Sequence, residues 1–412
     1  MDVSLAIIGA GQRGTIYARI ARDLGARIGA VAEPQEGVRT RFATEFGLDD
    51  AAVFTDWRDL LARPRLADAV AICTQDRDHA DPAVAAAGVG YHILLEKPMA
   101  TNEADAQRIV AAVQDAGVVF GVCHVLRYTE YTRALVDLLR ADAIGRIVSV
   151  EHLEPIGWWH FAHSFVRGNW RCEAETSPML IQKNIHDIDW LGYVVGEPVA
   201  RVSSFGTLLE FRPENAPAGA AARCLDCVVR TTCPFDAVRI YHGFLSDPEY
   251  SDWPLTVLTP NPTPTSIDDA LRNGPYGECV YAGHNDVVDH QVVSLEYASG
   301  VTASFTTVAF TEMAGRKTRI FGARGWIEGD GSVLRVHDFT TDDVRTIDTA
   351  VNATPAGGHG GGDEGLMRAF LAAVEAGDPS LVTSDAAASL ASLEVVWAAE
   401  RARHAGTVEV LA

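Results

Sequence analysis

Val3-Ser4-Leu5-Ala6-Ile7-Ile8-Gly9-Ala10-Gly11-Gln12-Arg13-Gly14 is the stretch that decides the fold. The apolar run Val3–Ile8 reads as a buried strand. The turn that follows has the pattern GxGxxG, and Thr15 to Leu24 reads as a helix. In that setting the first glycine permits a tight turn, the second lets the backbone approach a pyrophosphate, and the third lets helix pack on strand. A pyrophosphate would sit at the helix N-terminus, where free N–H groups and the helix dipole favour an anion.

Strand and helix alternate outward from this turn. A second strand, Arg27 to Ala32, ends at Glu33. An acid about 20 residues beyond the glycines accepts hydrogen bonds from ribose hydroxyls and repels a 2′-phosphate, which favours NAD. Arg39 and Arg41 lie close enough in sequence to keep NADP open. Ala69 to Cys73 is a buried strand with Thr74-Gln75-Asp76 as its carboxyl-end turn, and His79 to Ala87 reads as a helix. The next strand runs from Tyr91 into Glu96-Lys97-Pro98 and must stop at the proline, which has no N–H for a ladder. A helix capped by Thr101 or Asn102 runs to Ala116, and Val118 to Cys123 is a further strand. This alternation predicts a doubly wound parallel sheet. Lys97 then shares the carboxyl edge of the sheet with the glycine turn, where such sheets bind ligands. Candidate cofactor contacts on that edge are Gly9, Gly11, Gln12, Arg13, Gly14, Glu33, Thr74, Asp76, His79, Glu96 and Lys97.

A chain of 412 residues suits two domains, divided here as 1–125 and 126–412. The formal net charge of −21 argues against nucleic acid or an anionic membrane as partner. No basic leader precedes the first strand, no apolar run reaches membrane-spanning length, and seven cysteines make a complete disulfide framework improbable. A reducing cytoplasm is the expected location.

The glycine turn, Thr74-Gln75-Asp76-x-x-His79, Glu96-Lys97-Pro98 and, later, Lys183-Asn184-Ile185-His186-Asp187-Ile188-Asp189 resemble, in that order, the Gfo/Idh/MocA oxidoreductases. The resemblance covers nearly the whole chain. It implies a Rossmann domain followed by a domain built on a large, mostly antiparallel open sheet, with the active site between them. It also implies that His186 is the proton acceptor, and that the exposed face of the second sheet supports a homodimer or homotetramer. The chain departs from the pattern at Gln182, where many members carry an aspartate. Lys183 beside it looks like a sugar-oxidising branch.

The second half supplies candidates for a substrate side. Gly157 to Trp170 is dense in aromatic and polar groups, suited to stacking on sugar faces and hydrogen-bonding hydroxyls. Candidate substrate contacts are Lys97, Arg127, Tyr128, Trp158, His163, Arg167, Trp170, Lys183, His186 and Asp187. Packing of Trp and His inside a loop is the competing reading. Met179 to Val195 reads as one helix, placing Lys183, His186 and Asp187 on a shared face. Residues 213–280 form an insertion with Cys224-x-x-Cys227-x5-Cys233 and, beyond it, Cys279. Those four thiols suit a structural zinc pinning an insertion with little core of its own, the alternative being free or redox-active cysteines. Gly357 to Asp363 reads either as a flexible linker or as a loop that brings His359 to substrate. Strand-rich sequence from Gln291 to Ile347 and two helices to Ala405 complete the chain.

The expected chemistry is NAD-dependent oxidation of a secondary hydroxyl on a sugar, glycoside or cyclitol, with Lys97 steadying the alkoxide and His186 taking the proton. A cis Lys97–Pro98 bond is compatible with the turn. Two alternatives stand beside it: an NAD-dependent glycosidase that oxidises transiently and eliminates the aglycone, and a non-catalytic nucleotide- or sugar-binding regulator.

Overall fold

The computed structural model describes residues 3–250, 252–350 and 359–411. Six parallel strands form the first sheet: β1 (Ser4–Ile8), β2 (Arg27–Ala32), β3 (Val53–Phe54), β4 (Ala69–Ile72), β5 (His92–Leu95) and β6 (Phe120–Val122). Their order is β3-β2-β1-β4-β5-β6, so the sheet reverses direction between β1 and β4. That switch point opens a crevice at the carboxyl ends of the strands. β1 is buried along its whole length, as a strand covered on both faces must be.

Gly9 adopts φ 87°, and the helix Gln12–Asp23 begins three residues later. A Cβ on Gly14 would stand 2.0 Å from the Gly9 carbonyl oxygen, so this position admits no side chain. Gly14→Ala should destabilise the fold by about 1–3 kcal/mol through overpacking, and should weaken NAD binding. Urea unfolding and cofactor titration of the purified variant check both effects.

One face of the sheet is covered by helix Gln12–Asp23 together with a helix from far along the chain, Gly362–Ala376. Leu366, Met367, Phe370 and Leu371 from that later helix pack in one cluster with Leu5, Ile7 and Tyr17. On the opposite face, Leu393, Val396 and Ala399 of helix Ala386–Ala405 join a core that runs on into the second sheet.

The second sheet has nine strands: β7 (Ile147–Pro155), β8 (Val199–Thr207), β9 (His290–Tyr297), β10 (Thr302–Val308), β11 (Lys317–Gly322), β12 (Gly325–Gly329), β13 (Val333–Asp338), β14 (Asp343–Asp348) and β15 (Glu409–Val410). The order is β14-β13-β12-β11-β7-β10-β9-β8-β15, antiparallel except where β7 pairs with β10. Alternation sets its faces: Ala303, Phe305 and Thr307 of β10 point inward, while Thr302 and Ser304 are exposed. On the outward face, Phe205, Val292 and Phe321 are exposed. Between β8 and β9 the insertion forms helices Ala237–Phe244 and Pro264–Asn273 around Trp159, Tyr241, Ile267, Leu271 and Tyr276. No helix among the described residues is long and apolar enough to cross a membrane.

Candidate active site

The cofactor end is built by the glycine turn. Helix Gln12–Asp23 has Gly11 at its N-cap with no side chain capping it, so its first N–H groups remain available to an anion. A Cβ on Gly11 would meet nothing within 4 Å, because the turn faces an open cleft. That cleft, about 470 Å³, is lined by Gly9, Pro34, Trp57, Arg58, Thr74 and Arg77 among others. Glu33, at the end of β2, accepts from the Ala10 N–H (2.9 Å) and the Gln35 N–H (2.8 Å) and so ties strand to turn. The residues present fit a dinucleotide.

Three expected cofactor contacts are instead engaged with protein. Arg13 donates to Glu96 Oε1 (2.7 Å) and to Asp363 Oδ1 (2.5 Å), clamping the glycine turn to the end of β5 and to helix Gly362–Ala376. Glu96 also accepts from Tyr17 (3.1 Å). His79 is fully buried, with Nδ1 2.7 Å from the Pro98 carbonyl and Nε2 3.3 Å from that of Thr74. It fastens two neighbouring strand ends together.

Lys97 follows, and its bond to Pro98 is cis. Its Nζ donates to the Gln182 carbonyl at 2.6 Å. That carbonyl is free because the single helix expected over Met179–Val195 is in fact two, Met179–Gln182 and Ile185–Val195, with a break at Lys183-Asn184. The Gln182 side chain turns away and donates to the Ser177 carbonyl. Burial lowers the affinity of Lys97 for its proton, the Asp76 and Glu96 carboxylates oppose that, and Lys183 adds to it.

His186 is 5% exposed, and its Nδ1 has no partner. Burial, then Lys97, His359, His124 and Arg316, push its pKa well below the ordinary value. The same causes favour the uncharged ring. Gln182 Oε1 and Asn184 Oδ1 are likewise buried without partners, leaving a set of polar atoms that a polar ligand can satisfy.

Behind His186 runs a chain of charges. Lys183 pairs with Glu154 (3.1 Å), and Arg316 with Glu154 (2.9 Å) and Asp187 (2.7 Å). Asp187 also meets His152 Nε2 at 3.2 Å. Burial raises the Asp187 carboxyl, but Arg316 and His152 outweigh it and hold it well below the carboxylate range. Asp187 is thus committed to the network. Glu154, His152 and Arg316 were missed by sequence reasoning. A signal was present in β7, where His152 and Glu154 fall in phase with buried Val150.

His359 stands at φ 61° with its ring centroid 5.8 Å from that of His186. Its Nδ1 lies 3.3 Å from Asp363, the same carboxylate that Arg13 holds. Burial raises Asp363, but His359 and Arg13 prevail and bring it to about 2. A plain linker reading of this segment is corrected here from His359 onward, while Gly357 and Gly358 lie outside the described residues.

The oxidoreductase family with an NAD-binding Rossmann fold, GFO_IDH_MocA, matches residues 3–124, and its C-terminal alpha/beta domain matches residues 136–410. The chain belongs to the Gfo/Idh/MocA oxidoreductase family. Levoglucosan dehydrogenase of Pseudarthrobacter phenanthrenivorans is 29% identical over 183 residues, 44% of this chain and 46% of that protein. Myo-inositol 2-dehydrogenase of Thermotoga maritima is 25% identical over 211 residues, 50% and 58% of the two chains. The chain thus spans about half the length of these curated relatives. Among solved structures, an Agrobacterium radiobacter oxidoreductase in complex with NAD+, L-tartaric acid and magnesium aligns with a TM-score of 0.73 at 16% identity, over 100% of this chain and 98% of that one.

In this Gfo/Idh/MocA oxidoreductase the aromatic stretch is helical rather than a loop: one α-turn, Trp158–Phe161, then a π-helix, Ala162–Arg167. The turn of π-helix directs its polar groups into the insertion. His163 meets the Tyr241 hydroxyl at 2.8 Å and stacks on Tyr276, and Arg167 donates to the Phe235 and Glu278 carbonyls, each at 2.8 Å. Trp158 packs beside Phe235 under Arg239. Trp170, 37% exposed, is held next to Gln182 through its backbone carbonyl. Arg127 is bound bidentately by Asp189 (2.7 and 2.6 Å), and Tyr128 meets Ser384 (2.9 Å), so both are engaged with protein.

The zinc expectation is not supported. Cys224, Cys227, Cys233 and Cys279 do line one small cavity, with Arg167 donating to Cys224. Among the described residues, however, no group of three or more His, Cys, Asp or Glu is arranged to hold a metal ion. The premise also fails, because the insertion has an aromatic core of its own.

Proposed function

We propose that this chain oxidises a secondary hydroxyl of a sugar, glycoside or cyclitol with NAD, Lys97 and His186 acting at the reacting hydroxyl. The observation that carries this reading is the Lys97 ammonium, held by a main-chain carbonyl at 2.6 Å on the cofactor edge, with an unpartnered His186 packed near it. NAD, held by the glycine turn and Glu33, supplies the hydride acceptor when bound. His186 takes the hydroxyl proton. Lys97 donates a hydrogen bond to the oxygen as it gains charge, in a site closed enough for that charge to count. Relatives named for levoglucosan and myo-inositol support the substrate class. Glu33 at the end of β2 supports NAD over NADP. The exposed Phe205, Val292 and Phe321 on the outward sheet face support a homo-oligomer.

A second reading, the NAD-dependent glycosidase, gains from His359. Elimination of an aglycone needs an acid for the leaving oxygen as well as a base for the hydroxyl, and two histidine rings 5.8 Å apart offer both. One screen separates the readings: free sugars, cyclitols and glycosides are incubated with NAD or NADP while reduced cofactor and released aglycone are followed. Stoichiometric NADH from an unsubstituted sugar or cyclitol is the expected result. Aglycone release without NADH transfers the assignment to the glycosidase, and NADP preference overturns the role of Glu33. Binding without any turnover across the screen would leave the regulator.

A further inference from the structure

We propose that the cavity beside His359 and Arg316 is a second substrate subsite that holds a neutral hydroxylated ring, so that the preferred substrate is a glycoside carrying a further sugar ring. The cavity measures about 230 Å³ and is lined by Tyr131, Trp190, Arg316, Asp330, Ser332 and His359 among others. Its inner end lies beside the reacting site. The His359 ring packs 5.8 Å from that of His186, and Arg316 Nε donates to Asp187, the next residue along (2.7 Å). Its outer end lies at the turn between β12 and β13, where Gly331 and Ser332 are exposed. A ring joined to one held at His186 has room to extend this way.

The lining suits such a ring. Arg316 meets its two carboxylates, Glu154 (2.9 Å) and Asp187 (2.7 Å), through Nε. Neither of its Nη groups has a hydrogen-bond partner among the described residues, and 20% of the side chain is exposed. A guanidinium with its outer donors free is a fork for two adjacent acceptors. At the outer end Asp330 turns Oδ1 to the Ser332 and Val333 N–H groups (3.0 and 2.8 Å), which leaves Oδ2 to accept from a hydroxyl. Tyr131 and Trp190 add aromatic surface. Donors, an acceptor and aromatic surface in one small cavity match a ring that carries alcohols. Charge argues against an acidic ring. Lys183 and Arg316 face Glu154 and Asp187, so the inner charges cancel, and Asp330 adds a negative one. A carboxylate would find no uncompensated cation there. Size argues for one ring, since drug-sized ligands take cavities of about 300–1,000 Å³.

This inference rests on the reading that the reacting hydroxyl lies at Lys97 and His186, but binding tests it as well as turnover. The NADH-loaded full chain is titrated by calorimetry with D-glucose, D-galactose and D-mannose. Each is offered as its methyl glycoside and as the disaccharide that adds glucose as the second ring. For the sugar that is accepted, the disaccharide should bind about tenfold or more tighter than the methyl glycoside, the scale of one hydrogen bond to a charged group. A carboxylate on the second ring should cancel that gain. Ser332→Trp, at an exposed turn residue outside the catalytic groups, should remove the gain while the methyl glycoside binds as before. Arg316→Lys keeps the charge beside Glu154 and Asp187 without the fork, and should remove the gain too. Equal affinity for the two ligands, a gain that survives either variant, or no binding of any disaccharide overturns the proposal. Equal weakening of both ligands by Ser332→Trp also overturns it, because the cavity would then belong to the first ring. A gain that depends on Ser332, with no NADH in the screen, would keep the subsite and remove the dehydrogenase reading. NADH from free sugars without any gain would do the reverse.

Discussion

Lys97→Met is expected to cut turnover by about 10²–10³-fold, the scale on which loss of one preorganised donor to a developing oxyanion is felt. Methionine keeps the length of the lysine stem and suits an enclosed site, so NAD binding and fold should survive. The loss should fall on kcat and on kcat/KM alike, as it does when an interaction made only in the transition state is removed. Steady-state rates on the best substrate of the screen, together with NAD titration by fluorescence, give both quantities. A variant that kept most of its rate would remove Lys97 from the chemistry. The wild type should show a matching sign with pH. Because burial lowers the Lys97 pKa, the rate should decline on the alkaline side at a lower pH than an unperturbed lysine, near about 10.4, would give.

Asp189→Asn is expected to destabilise the chain by about 3–5 kcal/mol, because it leaves a buried arginine without its counter-ion. Asp189 is 1% exposed and accepts two hydrogen bonds from Arg127, 7% exposed, and one from Ser392 at 3.0 Å. Arg127 also donates to the Thr383 carbonyl, so one guanidinium joins the turn after β6, helix Ile185–Val195 and the segment before helix Ala386–Ala405. Denaturant unfolding of the variant measures the loss. Arg127→Ala in the same background should then cost little more, since the two residues act as one unit. A loss below about 1 kcal/mol would show that the pair is solvated rather than buried.

The first domain was legible because its signals are local. Strand, turn and helix around Gly9–Gly14 lie within about twenty residues, and each glycine is there for a steric reason that can be read off the chain. The antiparallel strands of the second sheet were legible for the same reason, through alternation and a Ser299-Gly300 turn. What escaped was non-local. The break at Lys183-Asn184 has no proline or glycine to announce it, so the free Gln182 carbonyl, which is what holds Lys97, could not be foreseen. Arg316 and Glu154 are single charges in strand-like surroundings, and only folding brings them to Asp187. The aromatic stretch misled by composition, since Trp158, His163 and Arg167 are the residue types of a sugar site and equally those that knit an insertion to its domain. His359 shows the limit most plainly. A glycine-rich run reads as slack chain, yet its histidine is fixed by a carboxylate that a residue of the first turn holds in place.

That last clamp has a consequence for how the chain matures. Arg13 and Asp363 are 350 positions apart, and the helix that carries Asp363 supplies Leu366, Met367, Phe370 and Leu371 to the face of the first sheet that it shares with helix Gln12–Asp23. The nucleotide half is thus the first part to leave the ribosome and among the last to be finished. Until the final quarter of the chain arrives, that sheet face is only partly covered and Arg13 lacks its Asp363 partner. Such high contact order makes for slow closure and a long window in which that face is exposed to other chains. Cofactor that is already present would act on this interval, favouring the assembled turn by mass action over every form that lacks it.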